Sequence, residues 1–171
     1  GNALMQLRVG KGTPQEAAQR FFQQEGMRAG KVERGQLNGL DASVGDLLRE
    51  QAARVHAFCW MTNHLHLAVE VAPGRVAAFQ DELVARHTLR CQRSAGTREP
   101  VFAPPDPAFR VDADAYLLQL IRYIHLNPLR AGLVRDAADY RWSGHRAYLG
   151  HAGPPWLSTD LGFRLLGGDL L

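Results

Sequence analysis

Two histidines one residue apart, His64 and His66 in Asn63-His64-Leu65-His66-Leu67-Ala68-Val69-Glu70, precede the stretch Arg122-Tyr123-Ile124-His125-Leu126-Asn127-Pro128. Imidazoles are metal ligands, and a phenol is a nucleophile. A divalent ion held by two strand histidines would polarise a phosphodiester, and a tyrosine brought alongside would attack its phosphorus. Each half has an ordinary explanation when taken alone. Seven histidines in 171 residues produce a His-x-His by chance at an appreciable rate, and such a pair can simply face solvent or hydrogen-bond locally. A tyrosine in an amphipathic helix is most often a packing residue. The conjunction is more informative, because an amide, Asn127, follows Tyr123 by one helical turn and can complete a metal site.

The elements that must position these groups follow from periodicity. Val55-His56-Ala57-Phe58-Cys59-Trp60-Met61 is a short apolar run, and residues His64 to Val71 alternate, so the two read as a hairpin or as adjacent strands. On the second strand Leu65, Leu67, Val69 and Val71 share one face, expected towards the core, while His64, His66, Ala68 and Glu70 share the other. Asp112 caps an expected helix from Ala113 to about Asn127, ended by Pro128, with Leu117, Leu120, Ile121 and Ile124 as its core stripe. At about 100° per residue Tyr123 and Asn127 lie on one flank of that helix and His125 on the opposite side.

Elsewhere, Thr13-Pro14-Gln15-Glu16 begins a helix that Gly26 stops. Residues Gly26 to Asp41 read as loop, and Val44 to Arg54 as helix, with Leu47, Leu48 and Ala52 on one side. Pro73-Gly74 turns the chain into a helix from about Arg75 to Leu89, striped by Val76, Phe79, Leu83 and Val84. Ser94 to Val111, with Pro100, Pro104, Pro105 and Pro107, reads as loop. His56, His87 and His151 lack partners at metal spacing and read as surface or boundary residues.

The 171 residues, 46% hydrophobic and 22% charged, suit one soluble domain, expected over 1–171. No run approaches the roughly 20 apolar residues of a membrane helix, and no secretory signal is evident, so no membrane partner and a cytoplasmic location are expected. Cys59 and Cys91 indicate neither a disulfide framework nor a Cys-rich zinc site. A net charge of +3 and a pI near 9.2 permit nucleic-acid binding. Lys11 and Lys31 are the only lysines, so 18 of the 20 basic residues are arginine, the side chain suited to bidentate phosphate contacts and base stacking. A GC-rich genome gives the same bias.

The chain resembles the HUH single-strand DNA transposases with one catalytic tyrosine, of the REP-associated tyrosine transposase type. Three ordered blocks carry the resemblance: Val55 to Glu70, Asp112 to Val134, and Tyr140-Arg141-Trp142-Ser143-Gly144-His145-Arg146-Ala147-Tyr148-Leu149-Gly150. The resemblance implies an α+β fold, a small antiparallel sheet flanked by helices in the ferredoxin-like arrangement. It implies that His64 and His66 bind a divalent cation, Mn²⁺ or Mg²⁺, that Asn127 is the third ligand, and that Tyr123 is the nucleophile. Two imidazoles with an amide oxygen suit Mn²⁺ somewhat better by ligand softness. The expected partner is single-stranded or hairpin DNA, met by Arg122, Arg130, Trp142 and Arg146, with the protein a monomer or homodimer. His145 and Tyr148 join that basic and aromatic cluster, although packing of Trp142 and Tyr148 against the sheet is expected at least as much as a DNA contact.

Two segments depart from the family pattern. Through residues 1–45 the usual first strand is expected to be missing or replaced, and at 97–110 proline and aspartate stand where a basic segment is usual. Local frame shifts in a decaying gene would explain both, which translation of the neighbouring frames would test. Two other function classes therefore stand beside the strand transferase: a catalytically inactive DNA-binding remnant, and a metal-dependent hydrolase in which the tyrosine is incidental.

Overall fold

The computed structural model describes residues 2–8, 34–61, 64–96, 98, 101–102, 108–111 and 114–167. Strand β1 (Asn2–Arg8) is followed by helix α1 (Arg34–Glu50), strands β2 (Arg54–Trp60) and β3 (His64–Glu70), helix α2 (Val76–Ala95), strand β4 (Phe109–Val111) and helix α3 (Asp114–Arg130). A 3₁₀ turn (Ala137–Asp139) and two short helices, α4 (His145–Tyr148) and α5 (Asp160–Leu165), complete the chain. The order is βαββαβ with an added helix, and the strands form one antiparallel sheet in the order β2-β3-β1-β4. That is the ferredoxin-like arrangement. The expected helix at Thr13, its stop at Gly26, the turn at Thr62-Asn63 and the cap at Asp112 lie outside the described residues.

The first strand is neither missing nor lost to pairing. Met5 pairs with Leu67, Gln6 with His66 and Arg8 with His64, while Asn2 to Leu4 pair with β4. Of the two alternatives expected, a missing strand is corrected and a replaced one stands. Its residues differ from the family pattern, but a backbone ladder does not need a particular sequence. The same applies to β4, which lies inside the stretch expected to be loop.

Both faces of β3 are covered, so the strand carrying the histidines is buried along most of its length. Leu65, Leu67 and Val69 pack with Phe58 and Trp60 against Leu40, Val44 and Leu47 of α1 and Phe79 and Leu83 of α2. On the other face Ala57, Cys59 and Ala68 meet Leu117, Leu120, Ile121 and Ile124 of α3, the stripe expected from sequence. Truncating a fully buried member such as Leu67 to alanine would cost roughly 2–5 kcal/mol.

Strand β2 carries a bulge. Val55 pairs with Val69 and Ala57 with Ala68, so His56 is the extra residue, and the slip turns Val55 and Phe58 to the same face. The carbonyl of His56 accepts from the Tyr148 hydroxyl at 2.8 Å.

Three helices differ in extent from the sequence reading, and α2 does so by running past the expected end at Leu89 to Ala95. Helix α1 begins at Arg34, within the expected loop, and ends at Glu50. Gly39, in the expected loop, and Gly45, in the expected helix, are both packing residues. A Cβ at Gly39 would lie 3.2 Å from Arg90 Cδ and 3.3 Å from His87 Cε1, and one at Gly45 would lie 3.2 Å from Trp156 Cδ1. Helix α3 does not stop before Pro128 but contains it. It ends in a Schellman motif: Leu133 N donates to Pro128 O and Gly132 N to Leu129 O, both at 3.0 Å, with Gly132 at φ 67°. Pro128 lacks the N–H that would bond Ile124 O. The Asn127 side-chain amide supplies the replacement, with Nδ2 donating to Tyr123 O at 2.9 Å and Ile124 O at 3.4 Å.

Candidate active site

The strand period of two puts His64 and His66 on the α3 face of β3, and their rings meet edge to face with centroids 4.7 Å apart. They are not the solvent-facing pair that chance would supply: His64 is 9% and His66 1% exposed. Helix α3 buries its apolar stripe against β2 and β3, which leaves Tyr123 at the rim, 40% exposed. There the Tyr123 ring meets His66 at 5.7 Å between centroids and 81° between planes. Arg130, two turns along the same helix, places its guanidinium 5.3 Å from the Tyr123 ring centroid. That is a cation–π contact.

Burial, and then the neighbouring His64, lowers the His66 pKa from 6.5 to about 3. The ring is therefore neutral at physiological pH, the form that binds metals. Both of its nitrogens are buried without a hydrogen-bond partner, an arrangement that costs about 1–3 kcal/mol for each polar group unless something else meets it.

The neutral, unpartnered nitrogens of His66 beside the His64 ring are donors of the kind a divalent cation takes. The Asn127 amide donates through nitrogen to the helix backbone, which leaves Oδ1 as its acceptor atom. Among the described residues no three His, Cys, Asp or Glu side chains come together to hold a metal. A cation here would need the Asn127 oxygen and solvent or phosphate oxygens.

Of the expected DNA-contacting residues, Arg130 stands over Tyr123 and Arg122 is exposed on the same helix. Trp142 and Arg146 line a different concavity, with Arg141 held 4.8 Å above the Trp142 ring. His125 lies on the opposite side of α3, buried and ring to ring with His145 at 5.4 Å and Tyr148 at 5.2 Å. His56 and His87 are not surface residues, for each is 1% exposed. His56 faces Glu70 at 3.1 Å, and His87 lies between Ser43 and Cys91, each at 3.3 Å. His151 is exposed, as expected.

The sequence reading missed two partnerships. Arg130 over Tyr123 was legible, because seven residues bring side chains back to one helix face. The contact of Asp41 with Trp60, where Nε1 donates to Oδ1 at 2.9 Å, joins α1 to β2 and has no local signature.

No described helix is long and apolar enough to cross a membrane. No family model and no curated protein matches the chain. The structure is similar to a solved REP-associated tyrosine transposase bound to a REP hairpin, with 15% sequence identity and a TM-score of 0.66 over 92% of this chain and 86% of that one. At that identity the likeness establishes the fold, and the fold of this chain is the α+β fold of that transposase.

Proposed function

We propose that the protein is a single-strand DNA transposase that cleaves and rejoins hairpin-bearing DNA through Tyr123. The observation that carries this reading is the contact between the buried, unpartnered His66 and the half-exposed Tyr123. The similar fold of a REP-associated tyrosine transposase bound to a REP hairpin supports DNA as the partner.

Tyr123 Oη forms a bond to the scissile phosphorus as the P–O3′ bond breaks. The phenolic proton is lost and the departing O3′ takes one up, so the products are a 5′-phosphotyrosine and a free 3′-hydroxyl. Attack by the 3′-hydroxyl of another strand reverses the step and completes transfer, with no net hydrolysis. When a divalent cation, Mn²⁺ or Mg²⁺, is bound by His64, His66 and Asn127 Oδ1, it supplies charge withdrawal from the phosphate. Helix α3 holds Tyr123 at the rim, and Arg130 covers its ring and adds positive charge where phosphate must approach. Arg122 offers a further backbone contact on that helix, and Trp142 and Arg146 extend the nucleic-acid surface.

The reading is tested by incubating the protein with Mn²⁺ and a labelled hairpin-bearing single strand, then denaturing it. Label retained on the protein, and lost in Tyr123→Phe, is the expected result. Cleavage without an adduct would favour metal-activated water. Binding without cleavage would favour an inactive DNA-binding protein.

A further inference from the structure

A second concavity, of about 630 Å³, opens off the outer edge of β2. Strand β2 ends the sheet, and an uncovered edge invites pairing with other chains. Here Trp60 N donates to Trp142 O at 2.8 Å and Gly144 N to Phe58 O at 3.0 Å, so the Trp142–Gly144 segment caps the edge. The chain then continues past Arg146 and returns through Gly153 to border the opening. Phe58 and Trp142 pack with the α1 and α2 side of the core, whereas Tyr123 belongs to the helix on the other face. The pocket lining includes neither Tyr123 nor the histidine pair.

We propose that this pocket binds a single nucleotide, with its phosphate on Arg146 and Arg141 and an amino-bearing base read by Asp41. The volume lies within the roughly 300–1,000 Å³ of small-molecule sites. Its wall combines an indole with a stacked guanidinium, Arg141 over Trp142 at 4.8 Å, and both surfaces stack nucleobases. Arg146 is exposed at the pocket and free to meet an anion. Asp41 also lines it. Trp60 Nε1 uses one lone pair of Asp41 Oδ1, and a carboxylate has about four acceptor positions, so the remainder are open to a ligand. Guanine, cytosine and adenine each present an exocyclic amino group to such an acceptor, and thymine does not. The ligand is either an unpaired nucleotide of a DNA strand or a free nucleotide. Only the choice between those sources rests on the DNA-cleavage reading.

The test is calorimetric titration of the full chain with the 5′-monophosphates of deoxyguanosine, deoxycytidine, deoxyadenosine and thymidine, with inorganic phosphate, and with five-nucleotide single strands. The three amino-bearing nucleotides should bind about tenfold more tightly than thymidine monophosphate, and inorganic phosphate should compete poorly. Arg146→Ala should weaken all four by about fivefold. Asp41→Asn keeps an acceptor for Trp60 and should erase the discrimination against thymidine. Tyr123→Phe should leave these affinities unchanged, so a failed adduct assay and a failed pocket are separate results. A single strand bound about tenfold more tightly than its free nucleotide would identify the strand as the source, and equal affinity would identify the free nucleotide. Absence of nucleotide binding, thymidine binding equal to the rest, or discrimination that survives Asp41→Asn would overturn the proposal.

Discussion

His66 and Tyr123 meet edge to face with their centroids 5.7 Å apart, although α2 and β4 lie between them in sequence. The contact straddles the boundary between core and solvent. His66 is 1% exposed and Tyr123 40%, so the phenol is open to solvent while the imidazole it touches is buried.

Binding of Mn²⁺ should raise the melting temperature, because an ion bound only by the folded protein stabilises it, by about 2.7 kcal/mol at a hundred times its Kd. His64→Ala should abolish the rise and keep the fold. A thermal scan with and without Mn²⁺ decides it, and an undiminished rise in His64→Ala would move the site elsewhere.

Asn127 has a structural duty beside its proposed ligand role, since its amide nitrogen serves the carbonyls of Tyr123 and Ile124 beside Pro128. Asn127→Ala should destabilise the protein by about 1 kcal/mol without metal. In the Pro128→Ala background the restored backbone N–H meets Ile124 O, so the same substitution should cost less. Urea unfolding of the four proteins in this cycle measures the coupling. Equal costs in both backgrounds would show that the amide does not compensate for the proline.

Three buried imidazoles set the acid limit of stability. Burial lowers His66 and His125 to about 3 and His87 to about 4. As pH falls below about 6.5 the unfolded chain takes up these protons first, so stability is full above that value and declines as pH falls towards the folded pKa. Each such group costs about 2 kcal/mol between pH 7 and 5. His87→Gln should narrow the difference in unfolding free energy between those two pH values by that amount. An unchanged difference would mean that His87 is not held neutral.

Strands β2 and β3 and the apolar stripe of α3 were legible in the sequence because their burial is periodic and local. The site residues on them were legible for the same reason, since one strand face carries both histidines and one helix flank carries Tyr123 and Asn127. What escaped the sequence was set by distant partners. Gly39 falls in a stretch that reads as loop until the approach of Arg90 and His87 is known. Strand β1 is specified by pairing on both sides, with β3 and β4. Pro128 reads as a stop because its replacement donor is a side chain.

Hairpin-bearing single strands should bind more tightly than plain duplex, because attack requires an unpaired phosphate beside Tyr123. Affinity should fall as salt rises, with a slope of about −0.7 for each phosphate neutralised on a single strand. Titrations over a series of salt concentrations measure both effects. Equal affinity for any duplex would indicate a nonspecific basic surface.

The most direct measurement of the central claim is covalent capture. Tyr123→Phe removes one oxygen and preserves the ring against His66 and under Arg130, so stability should change by well under about 1.5 kcal/mol, and Mn²⁺ binding should survive. Wild type and Tyr116→Phe, altered at an exposed tyrosine, should each yield a protein–DNA adduct with Mn²⁺ and a cleavable single strand, with the label mapping to the Tyr123 peptide. Tyr123→Phe should yield neither adduct nor cleavage. Cleavage that persists in Tyr123→Phe, or a wild type that forms no adduct under these conditions, would contradict the account.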